Sequence, residues 1–255
     1  MSMTTTGGVA SVMQLTGMEG SGTALALAAA AGFAWALLSS SVPASRTIAL
    51  RRVGTRIAVR RGDIFARNEH RVIPAGELFD WEVGDRVALN SLHGQCITRL
   101  FAGDGARFRD AIDASLATQA VVAQQWRDGE RPRYPIGTTA VVDSPPHRLF
   151  VPALSHCDVD QNWKAHASVA DLWTALDGLW RAVRAYSNGE AISMPLMGSG
   201  LANVSLPLET LLDLTIQSFV KASQEARVTT TLTIVLTDEA FAAIDLNDVA
   251  PEMKA

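Results

Sequence analysis

Apolar positions along the chain follow two different patterns. Ala24 to Leu38 (ALALAAAAGFAWALL) is an unbroken apolar run inside residues 20–45, which carry no charge. From about residue 56, short β-branched runs alternate with segments whose apolar residues recur at three- and four-residue steps. Arg56–Arg61 and Arg71–Ala75 read as short strands, Leu92–Ala102 and Phe108–Ala123 as helices, and Thr138–Val142 and Leu149–Leu154 as strands bounded by Pro and Gly. Ser168–Tyr186 is the clearest helix, with Leu172, Leu176, Leu179, Trp180 and Val183 on one face and Asn188-Gly189 to stop it. Ala191–Leu196 reads as a strand, Leu208–Ser223 as a helix opened by Pro207, and Thr229–Leu236 as a fully apolar, buried strand. A short helix and a polar tail follow. Strands separated by helices predict an α/β sandwich around a mostly parallel sheet.

The apolar run has three readings. With Ser39–Val42 it approaches the ~20 residues that cross a ~30 Å hydrocarbon layer. A signal peptide would need a positive leader, and residues 1–23 hold no Lys or Arg, although Val42-Pro43-Ala44 is a faint cleavage pattern. An all-round apolar helix can also be a core element. The neighbouring charge favours the membrane: residues 46–61 (RTIALRRVGTRIAVRR) hold six arginines and no acid, and such charge is kept on the cytoplasmic side of a span. The expected order is a short extracytoplasmic tail at 1–22, one transmembrane helix at 23–42, a basic juxtamembrane linker at 43–55, the α/β domain at 56–245 and a polar tail at 246–255. That places the chain in the cell inner membrane as a single-pass protein, N-terminus outside and domain in the cytoplasm. Ala28, Gly32 and Ala36 share one helix face, a small-residue pattern that permits self-association.

Composition removes several functions. With 255 residues, 48% hydrophobic and 19% charged, the chain can bury a substantial core. A net charge of −4 gives no reason to expect a nucleic-acid partner. Cys96 and Cys157 form no CxxC pair, so neither a zinc site nor a disulfide framework is expected. There is no GxGxxG, GxxxxGK[ST] or GxSxG, which counts against hydride transfer, NTP hydrolysis and a serine hydrolase. In His156-Cys157-Asp158, neighbours on an extended strand point to opposite faces, so they make a poor catalytic pair. Trp163, Trp173 and Trp180 are expected in the core.

In an open α/β sheet, ligands bind beyond the carboxyl ends of the strands. Four segments fall there. Gly62-Asp63-Ile64 follows the first strand; Asp63 either accepts from an exocyclic amine or caps the next turn. Pro74-Ala75-Gly76-Glu77 follows the second, with Phe79 and Asp80 behind it. Asn90-Ser91-Leu92-His93-Gly94-Gln95 opens a helix, whose first N–H groups are unpaired and favour anions; His93 is a ligand donor or a structural histidine. Met197-Gly198-Ser199-Gly200-Leu201 lies between a strand and a helix, where two glycines let the backbone turn its N–H groups toward a diphosphate.

These segments together resemble a macro domain, the ADP-ribose-binding α/β/α fold. Gly62-Asp63-Ile64 is similar to the family's strand-end Gly-Asp-Ile, and Pro195–Gly200 (PLMGSG) to its diphosphate loop. Asn90–Gln95 (NSLHGQ), Tyr134–Ala140 (YPIGTTA), Leu176–Trp180 (LDGLW) and Met194–Leu201 more specifically resemble the divergent macro domain of membrane-type Thoeris anti-phage effectors. The resemblance spans roughly 56–240 and implies a three-layer α/β/α sandwich with a mostly parallel mixed sheet. It also implies an ADP-ribose-derived ligand, expected to be ADP-ribose joined to histidine and made by a TIR-family partner. On that pattern Asp63 holds adenine, the Gly198–Gly200 loop and the Ser91–Gln95 helix start hold the diphosphate, and Glu77 or Asp80 contacts the distal group; Ile64, Pro74, Ala75, Gly76, Phe79, Met197 and Leu201 are expected in the same site.

Macro-domain hydrolases carry an Asn-rich loop where this chain has Ile73-Pro74-Ala75-Gly76-Glu77. The expectation is therefore a ligand sensor without catalytic residues, metal or cofactor, whose signal drives oligomerisation and membrane disruption. The alternatives are a membrane-tethered ADP-ribosyl hydrolase or NAD-metabolite enzyme, and a constitutive ADP-ribose-binding scaffold.

Overall fold

The structure, a computed structural model, describes residues 45–50, 54–125, 131–158, 164–202 and 204–245. The expected transmembrane helix at 23–42 and both tails lie outside the described residues. Among the described residues, no helix is long and apolar enough to cross a membrane.

Among the described residues, nine strands form one mixed sheet. Its main path runs β1 (Ser45–Leu50), β2 (Thr55–Arg61), β11 (Thr231–Leu236), β10 (Ile192–Pro195), β3 (His70–Val72), β8 (His147–Asp158) and β4 (Ala75–Gly76). Pairing is parallel from β2 through to β4, whereas β1 on β2, and β7 (Thr139–Ser144) and β9 (Lys164–His166) on β8, are antiparallel. A separate hairpin joins β5 (Ala123–Gln125) and β6 (Arg131–Arg133). The helices are α1 (Leu92–Leu100), α2 (Gly105–Leu116), α3 (Val169–Tyr186), α4 (Leu208–Glu225) and α5 (Asp238–Ala243).

β8 shows how the layers arise. Its side chains alternate between two apolar clusters: Phe150 and Leu154 join the one built on α3, α4 and α5, while Leu149, Val151 and Ala153 join the one built on α1 and α2. Helices therefore cover both faces of the sheet. On α3 a capping box starts the helix: Ser168 Oγ accepts from Asp171 N–H and the Asp171 carboxylate accepts from Ser168 N–H. Trp180 of α3 is buried, and its indole N–H donates to Ser218 Oγ of α4 at 3.0 Å.

Four expectations need correction. Ser45–Leu50, expected within the linker 43–55, is an edge strand in register with β2. Arg71–Ala75 is not one strand: Pro74 has no N–H for the ladder, so β3 ends at Val72 and β4 begins at Ala75. The helix expected at Phe108–Ala123 starts at Gly105, where Asp104 accepts from Arg107 N–H, and ends at Leu116, with Ala123 already in β5. Trp173 is 39% exposed on α3 rather than in the core, and Trp163 lies outside the described residues.

A cleft at the carboxyl ends of the strands

The carboxyl ends of β2, β10 and β11 open, with β4 and the start of α1, into a cleft of about 940 Å³. Among the expected residues it is lined by Asp63, Ile64, Pro74, Ala75, Gly76, Asp80, Ser91, Leu92, His93, Gln95 and all of Met197–Leu201.

Asp63 sits at one end. Its Oδ1 accepts from Phe65 N–H at 2.9 Å and its Oδ2 accepts from Arg99 at 2.8 Å. Partial burial by itself raises this carboxyl's pKa. The Arg99 and Phe65 hydrogen bonds and the charges of Arg99 and Arg71 outweigh it and hold the value below the usual Asp range. Asp63 is thus the cap of the turn that follows β2 and also lines the cleft, with lone pairs still open.

Two sets of backbone donors belong to residues that line the cleft. At the start of α1, Ser91 Oγ accepts from Gly94 N–H at 2.9 Å, which leaves the N–H groups of Leu92 and His93 without a protein acceptor among the described residues. In the loop after β10, the N–H groups of Gly198, Gly200 and Leu201 likewise have none, while Ser199 Oγ donates back to Leu196 O at 2.7 Å. Helix-start and loop N–H groups of this kind bind anions.

His93 is buried against Phe108, ring centroids 5.2 Å apart, and its Nε2 has no hydrogen-bond partner among the described residues. Burial pushes its pKa down to about 4, so the ring is neutral at pH 7.

Three expected residues stand away from the cleft. Glu77 is buried behind β4, where its carboxylate accepts from Arg133, from His156 Nδ1 at 3.0 Å and from Cys157 N–H at 3.1 Å. Phe79, at φ 48°, turns its ring into the core against Tyr134, centroids 5.6 Å apart. Gly94 faces the preceding loop: an added Cβ would meet Ala88 O at 2.3 Å.

His156 turns to Glu77 and Asp171 while its neighbour Cys157 lines the cleft, the opposite facing expected of adjacent strand residues. The lining residues not foreseen include Arg86, Arg99, Ser155, Thr237 and Asp238. Of these, Arg99 was within reach of periodicity, since it follows Ser91 and Gln95 at four-residue steps.

One group of metal-type donors lies elsewhere. Ligating atoms of His70, His147 and Glu190 lie within 4.8 Å of one another. His70 Nδ1 accepts from Arg148 N–H at 3.0 Å, so the neutral ring carries its proton on Nε2. That nitrogen donates to Ser187 O at 3.2 Å and faces Glu190 at 3.5 Å, as a donor and not as a metal ligand.

The sequence of residues 57–237 matches the family described as Thoeris protein ThsA, Macro domain. The chain belongs to that family. No curated protein matches it. Among solved structures, the Oceanobacillus iheyensis macrodomain with ADP is similar over 78% of this chain and 92% of that one, at 12% identity and a TM-score of 0.54. A mutant of the same macrodomain with ADPR gives 14% identity, 78% and 94% coverage and a TM-score of 0.54. The Trypanosoma brucei macrodomain in complex with ADP gives 12% identity, 76% and 72% coverage and a TM-score of 0.50. At these identities the likeness is one of fold. It makes the ThsA macro domain a macrodomain-like α/β fold on a mixed sheet.

Proposed function

We propose that this ThsA macro domain is the sensor of a membrane-anchored anti-phage effector. Its cleft binds an ADP-ribose-derived signal, taken to be the ADP-ribose–histidine conjugate, that a TIR-family partner makes during infection. Binding drives self-association, and the clustered membrane segments breach the bilayer and stop the infected cell.

One observation carries the ligand reading. The cleft is lined by an ionised Asp63 and by two groups of residues whose N–H donors have no protein acceptor among the described residues, Leu92–His93 and Gly198, Gly200 and Leu201. An anionic carboxylate repels phosphate but accepts from an amine, and bare backbone N–H groups do the reverse. A ligand that satisfies both has an amine-bearing base at one end and a diphosphate beyond it, as adenine nucleotides do. Ile73–Glu77 offers no Asn for distal-ribose chemistry, and Glu77 is committed to Arg133 and His156; the cleft is read as binding its ligand without turning it over.

Calorimetry of the full chain with ADP-ribose and its histidine conjugate tests this. Binding of at least one, lost in Asp63→Ala, is expected. Absence of binding by both, or an Asp63→Ala protein that binds as before, would sink the assignment, and turnover of either ligand would make the protein an enzyme.

A further inference from the structure

We infer that Arg99 is a stacking platform for the purine base, an inference that rests on the adenine-nucleotide reading of the cleft. Ser91, Gln95 and Arg99 lie at four-residue steps on one face of α1, and all three line the cleft. At 1.5 Å per residue, Arg99 stands ~12 Å along the axis from the helix start. The helix thus runs beside the ligand, with phosphate donors at its first turn and Arg99 at the end where Asp63 waits.

The guanidinium is fixed from two sides. Asp63 Oδ2 accepts from it at 2.8 Å, and its Cζ lies 4.4 Å from the centre of the Phe65 ring. Phe65 is in turn tied to Asp63 through its backbone N–H. Carboxylate, phenyl ring and guanidinium therefore hold one another in place. With one face against Phe65, Arg99 lines the cleft and still keeps 43% of its side chain exposed. A planar, delocalised cation presenting a free face stacks on a nucleobase; a lysine ammonium at the same point has no such face.

The same geometry divides the work of recognition. Asp63 reads the edge of the base, through the lone pairs that Phe65 and Arg99 leave open. Arg99 reads its face, which every purine has. Substituting Arg99 should weaken all purine ligands by one factor, while substituting Asp63 should remove the preference for an amine over a carbonyl oxygen.

The test is calorimetry of the full chain with ADP-ribose and with its hypoxanthine counterpart, in wild type, Arg99→Lys, Arg99→Ala and Asp63→Asn. Both Arg99 variants are expected to lose about tenfold in affinity for each ligand, with the ratio between ligands unchanged. Asp63→Asn is expected to collapse that ratio. An Arg99→Lys protein that binds like wild type would show that only charge matters and overturn the platform, as would an Arg99→Ala protein with unchanged affinity. Arg99 variants that collapse the ligand ratio would place its effect in positioning Asp63 and overturn it too. A wild-type chain that binds neither of these nor the histidine conjugate would remove the nucleotide reading and this inference together, an outcome distinct from any variant result; where only the conjugate binds, the same variants are read with it and its hypoxanthine counterpart.

Discussion

A Cβ added to Gly178 on α3 would stand 1.9 Å from the carbonyl oxygen of Gly137, in the turn ahead of β7. The helix and the turn touch through backbone, and no side chain fits between them. Gly137 is held from the other side as well, since its N–H donates to Ala153 O at 2.9 Å and so ties the turn to β8. The motifs LDGLW and YPIGTTA, some forty residues apart in sequence, are two halves of this one contact. Gly178→Ala should therefore force α3 off the sheet and cost roughly 3 kcal/mol, as overpacking against an unyielding neighbour does. In a domain of this size that lowers the melting temperature by roughly 6–12 °C. Melting within a degree of wild type would show that the helix shifts freely and that the contact sets no spacing.

Glu77 was expected to face the ligand and instead clamps the far end of β8. Its side chain is 4% exposed, and Arg133, His156 and the Cys157 N–H all converge on it. Glu77→Ala leaves the half-buried Arg133 without its main carboxylate. The expected loss is about 3 kcal/mol in urea unfolding, the low end for breaking a buried pair. A loss under about 1 kcal/mol would mean that the pair contributes no more than a surface one.

Most of the elements were legible because their periodicities are clean. α3 and α4 keep their apolar residues at helical steps, and β11 is rich in β-branched and aliphatic residues and buried from Leu232 to Leu236, as a strand covered on both faces is. β1 was not, because RTIAL sits in a row of arginines whose charge reads as a membrane flank, and only the register with β2 identifies it as an edge. At the cleft, the lining positions of Asp63 and the Gly198–Gly200 loop were legible because the carboxyl ends of the strands open there. Glu77, Phe79 and Gly94 follow the same strand ends and helix start, yet a positive φ at Phe79 and the close approach of Ala88 to Gly94 turn them inward. Those are tertiary facts that one-dimensional spacing does not encode.

His93 makes stability depend on pH. Burial lowers its folded pKa from 6.5 to about 4. Between these values the unfolded chain binds a proton that the folded chain refuses, so stability is full above pH 6.5 and declines as pH falls toward 4. The loss from this residue alone reaches about 3 kcal/mol. His93→Leu, which does not titrate, should shrink the difference in unfolding free energy between pH 7.5 and pH 4.5 by roughly 2 kcal/mol or more. An unchanged difference would show that the folded ring takes up its proton near the normal pH.

Two glycines two residues apart in the loop after β10 should fail in opposite ways. Gly198 has φ +88°, and an added Cβ would press on Val204 at 3.1–3.2 Å and on Leu211 at 3.3 Å. Gly198→Ala should cost roughly 1–3 kcal/mol through backbone strain and crowding, lowering the melting temperature before any ligand is added. Gly200, which lines the cleft, has nothing within 4 Å of the corresponding position. Gly200→Ala should therefore melt close to wild type, yet place a methyl group beside the loop N–H groups here proposed to hold the diphosphate. Its affinity for ADP-ribose should fall about tenfold, the equivalent of a modest steric clash. A Gly200→Ala protein that melts normally and binds ADP-ribose like wild type would show that the loop does not close on the ligand, and the diphosphate would then have to rest on the start of α1 alone.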